Sequence, residues 1–247
     1  MRFVTANVDP TRAGQQDYRV DMTRRLGKVL LLGKRDDRYC ERALERLLQS
    51  ADEVRYQFGT WGESLDPELN AWSCDYLISY LGRWIVPATM IERVQVAAIN
   101  FHPGSPHYPG VGCVNFAIWE EARDFGATCH HLAEKVDSGP IIAVERFDMP
   151  KSPTVAQVLE LTYAAQWKLF RRVIDELEQG LPLPSSDEHW TRRPFTRKDL
   201  NELSKINIVD TDGAIERQVR ATSFGKYQPS ITIGGVHFER ITGQESE

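Results

Sequence analysis

Residues 98–142 read AINFHPGSPHYPGVGCVNFAIWEEARDFGATCHHLAEKVDSGPII, and the rest of the chain is laid out around the changes of character inside them. Val94, Val96, Ala98 and Ile99 form an apolar run that ends in Asn100 and His102. Asn100, Phe101 and His102 alternate as on a strand, so the amide and the imidazole share one face at its end. Pro103, Gly104, Pro106, Pro109, Gly110 and Gly112 then forbid both strand and helix, which makes a shaped, exposed loop. A helix fits 114–123, with Val114, Ala117 and Ile118 on one stripe. From 126 to 133 the alternation returns, with Thr128 and His130 on one face and Cys129 and His131 on the other. Asp137-Ser138-Gly139 follows as a turn signal whose carboxylate can fold back toward the first strand.

Outside this stretch, 28–33 (KVLLLG) suits a central parallel strand, and Asp36 or Asp37 caps a helix with Tyr39, Ala43, Leu47 and Leu48 on one stripe. Further strands are expected at 54–58, 75–81 and 140–147. A long helix over 154–179 carries Val155, Val158, Leu159, Thr162, Leu169, Val173 and Leu177 at helical spacing, a core stripe. Gly180, Pro182 and Pro184 end it in a linker. Beyond lie short helices at 197–203 and 212–221 and a hairpin, 230–233 and 236–239, around Gly234-Gly235. The expected class is α/β: a Rossmann-like, open, mostly parallel sheet flanked by helices, with a small C-terminal helix/β-hairpin tail. The expected division is an N-terminal extension of no assigned role (1–27), the Rossmann-like domain (28–184) and a small C-terminal subdomain (185–247).

The 247 residues are 41% hydrophobic and 26% charged, ordinary for a globular chain with a substantial core. Thirty basic against thirty-five acidic residues give a net charge of −5, which argues against a nucleic-acid partner. Cys40, Cys74, Cys113 and Cys129 show no CxxC spacing and read as reduced, buried thiols. His130 and His131 are adjacent, not spaced to share an ion, and the cysteines complete no set, so no metal is expected. The start of the chain has no basic-then-apolar leader and no apolar run reaches membrane-spanning length. A soluble, cytoplasmic protein with no membrane partner is the expectation. The first strand-to-helix turn, Gly33-Lys34-Arg35-Asp36, lacks the dinucleotide fingerprint. Lys34 and Arg35 either face a phosphate at the carboxyl edge of the sheet or form a solvated basic pair.

An amide, an imidazole and a carboxylate converging at strand ends suit acyl-type transfer to an amine. The amide donates to an oxyanion, the imidazole moves a proton, and the carboxylate orients or charges it. Taken singly, each residue has a blander reading: a structural histidine, a plain turn, a loop hydrogen-bonder. Their order is more telling. Asn100-x-His102, a Pro/Gly loop, Gly126-x-Thr128-x-His130 and Asp137-x-Gly139-x-Ile141 together resemble the folate-dependent formyltransferase family, most of all its sugar N-formyltransferases.

That resemblance extends over about 28–238 and implies N10-formyltetrahydrofolate as co-substrate, a primary amine as acceptor and catalysis by Asn100, His102 and Asp137. It implies that Asn100 and a protonated His102 stabilise a tetrahedral oxyanion, that His102 can accept the amine's proton, and that Asp137 tunes His102 or relays protons through water. The base is left open among them. Trp84, Ile85 and Val86 match the segment that contacts the pterin, with Leu132 and Asp137 also on the folate. Lys34, Arg35, Gly104, His107 and Tyr108 are expected at the acceptor. Thr128 and His130 match the motif and are expected to hold the Asp137 loop, while His131 is expected to be structural.

Transfer-RNA formyltransferases carry a Ser-Leu-Leu-Pro segment and an Arg-Gly pair after the His. This chain has Pro103-Gly104-Ser105-Pro106 and Tyr108-Pro109-Gly110 instead. With its hairpin tail and no large basic C-terminal domain, it reads as acting on a nucleotide-linked amino sugar. GDP- or dTDP-linked 4-amino- or 3-amino-dideoxyhexoses, such as GDP-perosamine, are the type, in polysaccharide (O-antigen) assembly, from a homodimer. The alternatives are a methionyl-tRNA formyltransferase, a glycinamide ribonucleotide transformylase, or a non-catalytic protein that binds folate or a nucleotide sugar.

Overall fold

The computed structural model describes residues 25–225 and 227–240. All but the last three residues of the expected extension therefore lie outside the described residues. β1 (Lys28–Lys34) leads through α1 (Arg38–Ser50) to β2 (Glu53–Gly59), and α2 (Pro67–Ala71) precedes β3 (Tyr76–Tyr80). α3 (Ala88–Ile91), β4 (Ala97–His102), α4 (Cys113–Trp119), β5 (Asp124–His131), β6 (Ile141–Asp148) and α5 (Val155–Glu178) follow. The six strands form one sheet in the order β2-β1-β3-β4-β5-β6. The first four are parallel, and β5 alone is reversed, pairing antiparallel with both β4 and β6. The sheet is thus mostly parallel and open, the Rossmann-like class expected.

Between its terminal lysines β1 is apolar, Val29 to Gly33, because both of its faces are covered. Val29 and Leu31 pack with Tyr39, Ala43 and Leu47 of α1 and with Leu169, Phe170, Val173 and Ile174 of α5. Leu30 and Leu32 face the other way, onto Leu69 of α2, Met90 of α3 and Val86. Asp37, not Asp36, caps α1, accepting the amides of Tyr39 and Cys40. Thr154 and Gln157 form a reciprocal capping box at the start of α5.

α4 stops at Trp119, short of the expected 123, because Glu121 adopts a left-handed backbone (φ 53°) and Asp124 already begins β5. In the C-terminal segment, α6 (Arg197–Leu203), β7 (Lys205–Ile206), α7 (Asp212–Thr222), β8 (Ser230–Ile233) and β9 (Val236–Glu239) include the expected hairpin in a three-stranded sheet. This segment shares a core with the Rossmann-like part: Phe195, Leu200 and Ala221 pack with Phe116, Ala117 and Val158. Phe116 and Phe195 stack at 3.7 Å. Among the described residues no helix is long and apolar enough to cross a membrane.

Candidate active site

β4 pairs antiparallel with β5 so that Asn100 lies opposite His130 and His102 opposite Thr128. Residues paired across an antiparallel ladder share a face, so four polar side chains from two distant segments meet at one edge of the sheet. Asp137 reaches them from the loop between β5 and β6, in a left-handed conformation with φ 43°. An aspartate tolerates that conformation when its partners hold it there. Gly139 lets the loop turn tightly, since a Cβ there would sit 1.9 Å from the His131 carbonyl oxygen.

The partners define the chemistry. His102 Nδ1 is 3.2 Å from Asp137 Oδ2, and its Nε2 is 3.0 Å from the Tyr108 carbonyl oxygen. Both ring nitrogens face acceptors, an arrangement that an imidazolium satisfies on both sides. Asp137 Oδ2 also accepts the Gly110 amide at 2.7 Å. His130 Nδ1 faces the His131 carbonyl at 2.8 Å and so carries a hydrogen. Its Nε2 lies 3.0 Å from Asn100 Nδ2 and 3.3 Å from Asp137 Oδ1. His130 Nε2 thus sits between the Asn100 amide and the Asp137 carboxylate, and Asn100 keeps its second amide hydrogen for an incoming oxygen. His102, His130 and Asp137 are all buried.

Burial opposes ionisation of Asp137, but the His102 charge, the His130 hydrogen bond and charge, and the Gly110 amide outweigh it and hold its pKa down to about 2. A carboxylate whose folded pKa lies below its ordinary value of 3.8 stabilises the fold above that value. The contribution is lost as pH falls from about 4 to about 2. The wild type should therefore exceed Asp137→Asn in stability by about 2 kcal/mol at neutral pH, and the gap should close across that window. Chemical denaturation of both at pH 7, 4 and 2 checks this; a gap independent of pH would refute it. Burial pushes the Cys113 thiol, which also lines the site, up to about 12, so it is not a thiolate nucleophile.

Asn100, His102, His130 and Asp137 open onto a cavity of about 490 Å³. Leu81, Gly82, Trp84, Ile85, Val86 and Leu132 line one part of it. The Trp84 indole is fixed by a hydrogen bond to the Glu63 carbonyl (2.7 Å), Val86 is buried in the core, and Ile85 is 73% exposed over the opening. These residues form an apolar slot beside the polar cluster.

The expected acceptor residues are placed differently. Lys34 is paired with Asp37 and Arg35 with Glu63, and neither lines the cavity. The Asp37 cap draws Lys34 back along α1. Gly104, His107 and Tyr108 do not line it either. Gly104 gives clearance above the imidazole, since a Cβ there would sit 2.5 Å from His102 Nε2. His107 Nδ1 meets the Thr191 hydroxyl at 2.9 Å, and the buried Tyr108 ring packs on Phe125. Thr128 donates to the Gly104 carbonyl (2.7 Å), holding the Pro/Gly loop and not the Asp137 loop as expected. His131 is half-buried on the other face of β5, as the alternation implied.

Sequence reasoning gave too little weight to His130, which touches both Asn100 and Asp137, and missed Trp190. The Trp190 indole donates to the Gly139 carbonyl (2.8 Å) and stands edge-on to His130 and His102 with centroids 5.0 and 5.8 Å away. No local signal in the sequence points from residue 190 to this site.

Residues 53–174 match the family model "Formyl transferase". A methionyl-tRNA formyltransferase of Geobacillus thermodenitrificans is 25% identical over 61% of this chain and 47% of its own length. A GDP-perosamine N-formyltransferase of Brucella melitensis is 24% identical over 71% of this chain and 64% of its own. The chain thus spans about half to two thirds of the length of these relatives. An N-formyltransferase from Helicobacter canadensis, solved in complex with folinic acid and dTDP-3-aminofucose, superposes with a TM-score of 0.64 at 19% identity, over 86% of this chain and 85% of that one. Asn100, His102 and Asp137, gathered in the order and geometry described, all lie within residues 53–174, the stretch that matches the formyl transferase family.

Proposed function

We propose that the protein transfers a formyl group from N10-formyltetrahydrofolate to the amine of a nucleotide-linked amino sugar, of the GDP- or dTDP-amino-dideoxyhexose type. The observation that carries this reading is the buried Asn100/His102/His130/Asp137 network opening onto a cavity with an apolar slot on one side and polar, aromatic C-terminal residues on the other. N10-formyltetrahydrofolate, bound along Trp84, Ile85, Val86 and Leu132, supplies the formyl carbon. The second Asn100 amide hydrogen and the His102 Nε2–H donate to the oxygen that gains charge as the amine adds. His102 leaves the Tyr108 carbonyl to do so, and Asp137 continues to accept from its Nδ1. The amine's proton passes to a water held by Asp137; as the tetrahedral intermediate collapses, the bond from the formyl carbon to N10 breaks and N10 leaves with a proton, as tetrahydrofolate. The GDP-perosamine enzyme and the complex with dTDP-3-aminofucose support an amino-sugar acceptor.

The test is incubation with N10-formyltetrahydrofolate and a panel of GDP- and dTDP-amino sugars, followed by product mass. One formyl group gained on one sugar, and lost with His102→Asn, is expected. Formylation of charged initiator transfer RNA but of no sugar would overturn the reading in favour of the second, for which the Geobacillus relative speaks. Folate binding without turnover of any amine would make the protein a binder.

A further inference from the structure

We infer that Arg197, Asn201 and Tyr227 form the subsite for the acceptor's nucleoside diphosphate, Arg197 holding the phosphates and Tyr227 stacking the base. This rests on the reading of the acceptor as nucleotide-linked. Four other arginines of the C-terminal segment are tied to carboxylates, Arg192 to Glu120, Arg193 to Asp199, Arg217 to Glu121 and Arg220 to Glu216, and Arg240 meets the Ser223 hydroxyl. Arg197 is exposed and, among the described residues, meets no carboxylate; its guanidinium instead lies 5.6 Å from the centre of the Tyr227 ring. It also lines the cavity that holds Asn100, His102 and Asp137.

α6 builds this wall by periodicity. Arg197, Leu200, Asn201 and Ser204 fall at i, i+3, i+4 and i+7, and all four line the cavity. The acidic residues of α6 are occupied elsewhere: Asp199 binds Arg193 and the Thr196 cap, and Glu202 pairs with Lys205. Phe224 and Tyr227 exchange backbone hydrogen bonds of 2.8 and 2.9 Å across a tight turn, which presents two exposed aromatic rings on a rigid support. Among the described residues, the charged side chains lining the cavity are Asp137, which is acidic, and Arg83, Lys135 and Arg197. In a chain of net charge −5 the cavity is therefore a local cationic well, which concentrates an anionic substrate and leaves its neutral sugar end for the catalytic set. A planar guanidinium beside an aromatic face suits a diphosphate joined to a base.

The experiment measures GDP and dTDP binding by calorimetry, and steady-state kinetics on the sugar that the panel identifies, for wild type, Arg197→Gln, Tyr227→Leu and Arg193→Gln. Arg197→Gln and Tyr227→Leu should each weaken diphosphate binding and raise the acceptor KM about tenfold or more, with the formyl-donor KM unmoved. Arg193→Gln, which removes a paired cation of the same segment, should do neither. If Arg197→Gln binds both diphosphates as the wild type does and keeps the acceptor KM, the subsite is wrong while the acceptor reading stands. If the wild type binds neither diphosphate and formylates no nucleotide-linked amine, the acceptor reading falls and takes the subsite with it.

Discussion

Asp137→Asn should lower kcat/KM for formyl transfer by about 10³-fold or more, in a protein that still folds. The substitution keeps the shape and removes the charge, and the existing contacts show why an amide cannot replace it. Asp137 Oδ2 accepts from both His102 Nδ1 and the Gly110 amide, so the new carbonyl oxygen must take that place. The new NH2 then occupies the Oδ1 position and points at His130 Nε2. That nitrogen already faces the Asn100 amide at 3.0 Å, and one lone pair cannot serve two donors. Asn100 is displaced from the place where it would meet the developing oxyanion, and His102 loses the carboxylate that balances its charge. Both donors to the reacting oxygen are degraded at once, and a single such donor is worth about 10²- to 10³-fold. Circular dichroism beside steady-state kinetics separates a folded, inactive variant from an unfolded one. A folded variant within tenfold of wild type would show that the carboxylate is not part of the machinery.

Gly110→Ala should cost roughly 10²-fold in kcat through a contact that no substrate makes. Gly110 has φ 89°, and a Cβ on it would sit 2.3 Å from the carbonyl oxygen and 2.6 Å from the nitrogen of Phe195. The obstruction is backbone, which cannot rotate away. Residues 190–195 run along the Pro/Gly loop as a strap: Phe195 N–H donates to the Pro109 carbonyl (2.9 Å), Val111 N–H to the Phe195 carbonyl (2.8 Å), and Arg192 pairs with Glu120 at 2.7 Å. Either the strap lifts, carrying Trp190 away from the two histidines, or the loop shifts and takes the Gly110 amide off Asp137 and the Tyr108 carbonyl off His102. Each route misplaces the network. Gly180→Ala is the control, since Gly180 also has positive φ (72°) but nothing within 4 Å of a new Cβ. It should cost about 1 kcal/mol of stability and leave turnover unchanged. Equal turnover in Gly110→Ala and wild type would remove the strap from the account.

The strands, the long helix, the C-terminal hairpin and the order of Asn100, His102 and Asp137 are all legible in the sequence, because each rests on local periodicity or a turn. KVLLLG reads as a central strand because burial on both faces requires unbroken apolar residues, and α5 reads as core because its stripe recurs at helical spacing. The alternation at 126–133 even separates His130 from His131 before any partner is known. What it cannot carry is pairing. That Asn100 lies opposite His130 depends on the β4–β5 register, a contact between segments thirty positions apart. The same limit explains Lys34 and Arg35, whose neighbours Asp37 and Glu63 take their charges and turn them from the cavity. It explains Gly104, His107 and Tyr108, which a loop of prolines and glycines presents inward or against 190–195, not toward substrate. Trp190 and Arg197 come to the site only because the C-terminal segment shares a core with α4 and α5. Burial of Phe195, Leu200 and Ala221 supplies the free energy for that docking, and it acts between surfaces that no sequence window contains.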